Sequence, residues 1–268
     1  MISFPNAKIN LGLNILSKRT DGYHDIESCL YPVPFTDVLE IIPSKQFSFT
    51  NSGLVVDNDR GDNLCIKAYK LIQSGYDIPT VSMHLHKVIP MGAGLGGGSS
   101  DAAFTLKMLN ELFELRITND QLKEFAAELG SDCPFFIDNQ PALATGTGTA
   151  LSLIPLALKG KYLVLVFPGL SISTAEAYAN VKSNKPSVEL KEVLKLSITV
   201  WKDQLQNDFE ASIFPNHPLL SKVKELLYEQ GATYAAMSGS GSTLFGIFDH
   251  KPALSIHEEG VVVKAVEL

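Results

Sequence analysis

The chain has 268 residues, a formal net charge of -7 at pH 7 and 45% hydrophobic residues. This size and composition predict a globular fold with a substantial core, in one large domain or two smaller ones. The acidic balance argues against a nucleic-acid partner and against an anionic membrane surface, because both attract clustered Lys and Arg. No apolar run approaches the roughly 18 residues that cross a bilayer. Since the first residues also lack the basic and apolar regions of a signal peptide, we expect a cytoplasmic protein.

The cysteines and histidines do not predict a metal site. Cys29, Cys65 and Cys133 are odd in number and widely spaced, without a C-x-x-C pair, so we expect them to pack in the core. His84 and His86 alternate with apolar residues and would share one strand face, but no third ligand lies nearby in the sequence. We therefore predict no protein-bound metal of this kind.

The first predicted strand, residues 7–16, has one polar face. Apolar side chains alternate strictly with another set, which is Lys8, Asn10, Gly12 and Asn14. Alternation with period 2 predicts a strand in which Lys8 and Asn10 point the same way. By itself, a lysine there is most simply explained as a solvated edge residue.

Further strands are predicted at residues 37–42 and 81–86, with turns at residues 51–53 and 57–61. Apolar residues then recur at helical spacing after Ser99 and Ser100, which we interpret as the helix cap. A second helix follows directly. Thr118 and Gln121 form its predicted capping box, and Gly130 stands at its end.

The second half of the chain mixes both element types. A buried strand is predicted at residues 161–167, followed by a short helix that begins with the Ser173-x-x-Glu176 capping pattern. Two more helices are predicted at residues 188–194 and 219–230. Three strands follow, at residues 233–237, 243–249 and 261–267. We predict an α+β fold of two domains, residues 1–150 and 151–268, with the Gly- and Thr-rich segment 144–150 at the seam.

A glycine-dense loop leads straight into the first helix. Five glycines in seven positions lose backbone entropy on folding, so the loop requires either positive φ or close approach of the main chain to a ligand. A phosphate chain satisfies both requirements, because backbone N–H groups and the helix N-terminus attract its oxygens. The predicted ATP-binding residues are Pro90, Met91, Gly92, Ala93, Gly94, Leu95, Gly96, Gly97, Gly98, Ser99 and Ser100.

Three other interpretations of this loop fit less well. A Walker P-loop ends in Gly-Lys followed by Ser or Thr, and this loop has no lysine. The Rossmann pattern matches as Gly92-x-Gly94-x-x-Gly97, but the helix is followed by another helix rather than by a strand. A flexible linker is disfavoured because both flanks are strongly patterned.

The loop resembles the phosphate-binding motif of the GHMP kinases, which reads P-x-x-x-G-L-G-S-S-A-A in outline. The additional glycines and Asp101 resemble one branch of the family, whose loop reads GLGGGSS followed by Asn or Asp. Other segments resemble this branch in the same order along residues 6–242. They are Asn6-Ala7-Lys8-Ile9-Asn10-Leu11, Asp21-Gly22-Tyr23-His24, Gly130-Ser131-Asp132-Cys133-Pro134-Phe135-Phe136 and Ser238-Gly239-Ser240-Gly241-Ser242.

The resemblance implies a kinase that transfers the γ-phosphoryl group of ATP, with Mg²⁺, to a hydroxyl of a cytidine-diphosphate-linked polyol. Lys8 and Asp132 fall on the catalytic pair of the family. Without the resemblance, Asp132 would be interpreted as a turn residue after a helix. Asp132 would accept the proton of the hydroxyl, and Lys8 would keep that carboxylate ionised.

The resemblance also implies binding roles for other residues. Asn10, Tyr23, His24 and Tyr178 are predicted to bind the acceptor, the last three around its nucleobase. Asn63 is predicted to lie near the adenine of ATP. For Mg²⁺, Ser99 or Ser100 with water is the expected ligand set. Where relatives commonly have Gly-x-Gly-Glu, this chain has Thr149 in place of the acid.

The architecture implied is a two-lobe α+β fold, with an N-terminal lobe like domain 2 of ribosomal protein S5, a ferredoxin-like C-terminal lobe and the active site between them. Expected partners are small molecules, in a monomer or homodimer, without nucleic acid or membrane. Two alternatives remain open: another GHMP activity, such as homoserine or mevalonate kinase, and a non-catalytic nucleotide- or RNA-binding protein.

Overall fold

The computed structural model describes residues 1–54, 63–183, 185–253 and 261–268, and these ranges contain helices and strands in an α+β arrangement. The strands are β1 Ile2–Ser3, β2 Asn6–Lys18, β3 His24–Thr36, β4 Val38–Pro43, β5 Ser48–Gly53, β6 Val81–Lys87, β7 Ala142–Gly146, β8 Ala150–Leu153, β9 Tyr162–Phe167, β10 Tyr234–Met237, β11 Leu244–Phe248 and β12 Val262–Glu267. The α-helices are α1 Leu64–Gly75, α2 Gly97–Leu112, α3 Asn119–Leu129, α4 Cys133–Asp138, α5 Thr174–Ala179, α6 Leu190–Val193, α7 Trp201–Gln204, α8 Asp208–Ile213 and α9 Pro218–Glu229, with a 3₁₀ turn at Ile198–Val200. Within these ranges no helix has the length and apolar character needed to span a membrane.

The described residues form two compact units, and neither is one continuous stretch of sequence. The first unit comprises residues 1–7, 35–91 and 96–140. Its sheet has the order β1-β4-β6-β5, in which β5 and β6 are parallel. Helices α1 and α2 pack together, α2 also contacts α4 and β4, and α3 packs on α4. This unit carries both ends of the glycine loop as well as Asp132. The predicted domain boundary at residue 150 stays a prediction.

The second unit comprises residues 8–34, 92–95 and 141–268. One of its sheets has the order β2-β3-β7-β8, and the other has the order β10-β11-β9-β12 with all three pairings antiparallel. The core of the second unit includes Leu13, Val166, Phe209, Leu227 and Met237, all buried. Strands β9, β10 and β11 are almost wholly buried, which explains why their sequences are continuously apolar rather than alternating.

Most predicted elements are confirmed, with shifts of one or two residues at their ends. One turn prediction is wrong. Residues 51–53 belong to the parallel edge strand β5, because cross-strand pairing with β6 outweighs the low strand propensity of Asn and Gly. Residues 144–150, which the sequence suggested as the domain seam, lie at the end of a hairpin in which β7 pairs with β8, and the seam itself stays a prediction. The turn predicted at residues 57–61 lies outside the described residues.

Several elements were not predicted from the sequence, and helix α1 and strand β3 are the largest of them. Helix α1 begins at the cap residue Asn63, whose side chain accepts a hydrogen bond from the backbone of Cys65 at 2.8 Å. Strand β3 contains Pro32 and Pro34, which count against a strand in sequence reasoning. The three cysteines are buried and unpaired with one another, which confirms their predicted packing role.

Candidate functional site

The polar side chains Lys8 and Asn10 on strand β2 are buried rather than exposed to solvent. Lys8 and Asn10 are each only 4% exposed. The Nζ atom of Lys8 donates to Oδ1 of Asn10 at 2.7 Å, and Nδ2 of Asn10 donates to Oγ of Ser28 at 2.8 Å. The Ser28 hydroxyl in turn donates to the carbonyl of Gly12 at 2.7 Å. The ammonium group of Lys8 is thus held in a fixed position, and its interpretation as a solvated edge residue is wrong.

The glycine loop adopts the left-handed backbone conformation at alternate glycines. The φ angles of Gly92, Gly94 and Gly96 are 62°, 77° and 67°. At Gly94 the main chain also runs so close to the carbonyl of Ser238 that a Cβ atom would lie 2.0 Å from its oxygen. Positive φ therefore requires glycine at these positions, and the close approach at Gly94 is to the protein's own backbone at Ser238.

Residues 92–95 of the loop are fixed within the second unit. The N–H of Lys8 donates to the carbonyl of Leu95 at 2.9 Å. The hydroxyl of Ser238 donates to the carbonyl of Gly94 at 2.8 Å, and the N–H of Thr243 donates to that of Ala93 at 3.2 Å. The C-terminal glycine motif and the start of β2 thus both hold the loop. These segments lie far apart in the sequence, and their hydrogen bonds to one loop appear only in the structure.

Helix α2 begins earlier than predicted. Gly96 is its N-cap residue and makes no side-chain cap bond, so Ser99 and Ser100 lie inside the first turn rather than at the cap. The predicted cap is therefore wrong, because the left-handed Gly96 already turns the chain into the helix. A helix start without a capping side chain leaves backbone N–H groups able to bind an anion. Gly98 and Ser99 are half-buried on this first turn.

Asp132 lies between α3 and α4. The capping box of Thr118 and Gln121 starts α3 as predicted, and Gly130 ends it with an extended φ of 169° rather than a left-handed one. Asp132 is the N-cap residue of α4, but its side chain makes no cap bond to that helix. Its carboxylate is half-buried. The neighbouring Cys133 is buried, and this burial raises the pKa of its thiol to about 11.

Two of the three residues predicted around the nucleobase lie together. The rings of His24 and Tyr178 stack, with centroids 4.7 Å apart and planes at 20°. Phe209 packs edge-on against Tyr178 at 4.8 Å, and burial raises the pKa of the tyrosine. Tyr23 is 67% exposed in the turn before β3 and does not take part in this stack. Helix α5, which carries Tyr178, begins at Ser173, whose hydroxyl accepts from the N–H of Glu176 as predicted.

Sequence reasoning missed a polar cluster at the start of α8, formed by Asn207, Asp208 and Glu210. The Nδ2 atom of Asn207 donates to the carbonyls of Met237 and Gly239 at 2.7 and 2.8 Å. A carboxylate oxygen of Asp208 accepts from the N–H of Ile15 at 2.7 Å, and one of Glu210 accepts from the N–H of Met237 at 2.8 Å. Through these hydrogen bonds the polar cluster connects β2 to the C-terminal glycine motif. An Asn before a helix predicts only an N-cap. Asn207 does cap α8, but its additional bonds to the glycine motif could not be predicted from that pattern.

No group of three metal-ligating side chains occurs among the described residues. His84 bonds to the hydroxyls of Thr50 and Ser52, and His86 bonds to Ser52. Near the start of α2 the candidate donors are serine hydroxyls, and that of Ser100 is buried without a hydrogen-bond partner. Such a donor set fits Mg²⁺ that is bound mainly by phosphate oxygens and water. Asn63 uses its side-chain oxygen to cap α1.

Comparison with known proteins gives a consistent result along the chain. Residues 63–147 match the GHMP kinases N terminal domain, and residues 190–259 match the GHMP kinases C terminal domain. The 4-diphosphocytidyl-2-C-methyl-D-erythritol kinase of Parabacteroides distasonis is 52% identical over 93% of this chain and 92% of its own. The protein of the same name from Cytophaga hutchinsonii is 51% identical over 96% of each chain.

Solved structures agree with the sequence relatives. A crystal structure of 4-(cytidine 5'-diphospho)-2C-methyl-D-erythritol kinase has a TM-score of 0.80 at 32% identity, covering 92% of this chain and 90% of that one. The mevalonate kinase of Methanococcus jannaschii has a TM-score of 0.68 at 15% identity, covering 100% and 98%, and shares the fold alone. Because such similarity extends over nearly the whole chain, the protein belongs to the GHMP kinases, in the family of the 4-diphosphocytidyl-2-C-methyl-D-erythritol kinases.

Proposed function

We propose that the protein transfers the γ-phosphoryl group of ATP to the 2-hydroxyl of 4-diphosphocytidyl-2-C-methyl-D-erythritol, a step of isoprenoid precursor synthesis. The observation that carries this proposal is the 52% identity with a kinase of that name over 93% of the chain. The loop geometry supports it, since the left-handed glycines lead into a helix start whose N–H groups suit phosphate.

Asp132 is the proposed proton acceptor. In the reaction the acceptor oxygen forms a bond to the γ-phosphorus, the bond from that phosphorus to the β–γ bridging oxygen breaks, and ADP leaves. The hydroxyl proton passes to the Asp132 carboxylate. Lys8 stabilises the negative charge that develops during transfer, and its bond to Asn10 keeps the ammonium in place. Such a transfer depends on positioning and charge more than on a strong base.

ATP is the phosphoryl donor, and the proposed donor site is the loop of residues 90–100. Ser99 or Ser100, in the first turn of α2, would hold the Mg²⁺ that accompanies ATP, and the ion would neutralise phosphate charge. The side-chain oxygen of Asn63 already caps α1. Asn63 is therefore proposed to contact the adenine through its backbone or through its side-chain nitrogen, Nδ2. Cytoplasmic residence remains a prediction from the sequence, as does a monomeric or dimeric state.

The proposed acceptor site includes the stacked pair His24 and Tyr178, with Asn10 nearer the polyol. Aromatic faces and the polar edge of an imidazole suit a pyrimidine base. Tyr23 is proposed as a further contact, and its exposed ring leaves it accessible to a ligand.

An acceptor panel tests the proposed substrate. ADP release is measured with the cytidine-linked polyol, mevalonate, homoserine and galactose, each at the same concentration with MgATP. We expect release with the first alone. Release with mevalonate or homoserine instead would favour another GHMP activity. Absence of release with every acceptor, together with tight ATP binding, would favour the non-catalytic alternative.

Replacing Tyr178 by Ala tests the nucleobase site. Loss of one stacking partner costs roughly 1 to 3 kcal/mol, so kcat/KM for the acceptor should fall about 5- to 150-fold. The KM for ATP should not change. His24→Ala and Tyr23→Ala complete the set, and Tyr76→Ala is the matched control in the other unit. Unchanged acceptor kinetics in all three folded variants would exclude these residues as the cytidine site.

A further inference from the structure

A buried charged cluster lies in the first unit, and no step of the proposed reaction involves its side chains. Lys87, at the end of β6, is 1% exposed, and its Nζ atom donates to carboxylate oxygens of Asp37 and, at 2.8 Å, Asp101. Both carboxylates are buried as well. With two carboxylates to one ammonium, the cluster has a formal net charge of -1. Removing such groups from water is costly, and a buried ion pair is weak evidence for stability.

The cluster holds both ends of the glycine loop. At the entry, the second oxygen of Asp37 accepts the N–H groups of Val88 at 2.6 Å and Ile89 at 2.8 Å, the two residues that follow β6. At the exit, Lys87 holds Asp101 on the second turn of α2. One buried group of charges therefore connects the strand before the loop to the helix after it.

The cluster also lies directly beneath the end of the loop. A Cβ atom on Gly97 would be 2.9 Å from Nζ of Lys87 and 2.9 Å from Cγ2 of Ile89. The first residue of α2 thus rests on the ammonium group. Any displacement of Lys87 changes the position of the helix start, where the proposed function requires phosphate to bind.

Within the cluster, Asp101 has the fewest hydrogen bonds to its carboxylate oxygens. Its Oδ2 atom accepts from Lys87, while Oδ1 is buried without a hydrogen-bond partner. A group that is costly to bury and incompletely paired is poorly suited to stabilising a fold, but its one bond fixes α2 to β6.

We infer that Asp101, Lys87 and Asp37 are positioning residues that set the distance between the strand end and the α2 N-terminus, and so shape the ATP phosphate site. This inference rests on the proposed function of the loop. The cluster acts through the backbone and does not itself touch the substrate. Its contribution is therefore to ATP affinity and turnover rather than to stability.

The test separates stability from nucleotide affinity with two substitutions at one residue. Asp101→Leu leaves Lys87 and Asp37 as a neutral buried pair, so the midpoint of urea unfolding should equal or exceed that of the wild type. The dissociation constant for ADP, measured by calorimetry, should nevertheless rise about 10- to 100-fold, because small misplacements of a binding group are costly. Asp101→Asn retains a side-chain oxygen that can accept a hydrogen bond from Lys87. Its ADP affinity should therefore lie between that of the wild type and that of Asp101→Leu. The KM for the acceptor should stay unchanged in both.

Thr105→Val is the matched control, because Thr105 is buried one turn further along α2 and its hydroxyl donates to the main-chain carbonyl of Asp101 rather than to the charged cluster. It should leave ADP affinity unchanged. Wild-type affinity and turnover in Asp101→Leu would overturn the inference, and so would failure of this variant to fold.

A Gly98→Val variant distinguishes failure of this inference from failure of the proposed function. If it loses ADP affinity while Asp101→Leu does not, only the inference fails. If neither variant loses affinity, the loop is not the nucleotide site.

Discussion

Asp132→Asn should lower turnover by roughly 100- to 10,000-fold, the range of a general base, while ATP binding stays nearly intact. The amide has the shape of the carboxylate but cannot accept the hydroxyl proton. Because the side chain of Asp132 makes no cap bond to α4, the substitution removes no helix cap. Turnover is measured as ADP release at saturating MgATP and acceptor, and nucleotide binding is measured by calorimetry.

The matched control is Asp138→Asn in the same helix. Asp138 is also half-buried, but it forms a salt bridge with Lys123 at 2.7 Å. Its replacement should leave turnover within about twofold of the wild type, since a surface ion pair contributes little. Near-normal turnover in Asp132→Asn would show that the proposed mechanism is wrong.

Lys8→Ala should cause a loss of turnover on the same scale, because it removes the charge beside the reaction. Alanine also leaves a cavity, since Lys8 is buried and bonded to Asn10. Lys8→Met retains most of the volume and removes the charge together with the hydrogen bond to Asn10, so it should match the catalytic loss with a smaller effect on unfolding than alanine. Equal turnover in Lys8→Met and the wild type would exclude a catalytic role for the ammonium.

Gly98→Val should weaken ATP binding by about 100-fold or more, because hydrogen bonds to a charged group contribute about 1.5 to 3 kcal/mol each and a displaced phosphate loses at least two. The free protein has room for a Cβ atom at this position. A Cβ atom at residue 98 would meet only Leu64, at 3.8 Å, and the backbone does not have positive φ there. Calorimetry with ADP and with ATP measures the loss, and circular dichroism checks the fold.

Gly97→Val, the natural choice from the sequence, is a poorer test. Its Cβ atom would collide with Ile89 and Lys87 beneath the loop, so the fold itself would be strained. Gly75→Val is the matched control, because Gly75 ends α1 in the same unit with no atom within 4 Å of a Cβ. Unchanged nucleotide affinity in a folded Gly98→Val variant would show that phosphate binds elsewhere.

Much of the fold followed from local patterns. The alternation along β2, the capping box of α3 and the amphipathic spacing of α2 depend on neighbours within a few residues, and the structure confirms these elements. Elements whose stability comes from distant partners were missed or misread. Strand β5 is an example, because its pairing with β6 joins residues more than thirty positions apart.

The sequence by itself determined the glycine loop, the polar parity of Lys8 with Asn10, and the family resemblance. These features lie in contiguous residues, where backbone conformation and side-chain direction follow short-range rules. Only the tertiary structure decided that Lys8 is buried, that His24 meets Tyr178 across about 150 residues, and that Asn207 holds the C-terminal glycine motif. The same is true of Lys87, which has the sequence pattern of an ordinary strand end. Its burial between Asp37 and Asp101 depends on which strand and which helix pack around it, and local sequence does not encode that packing.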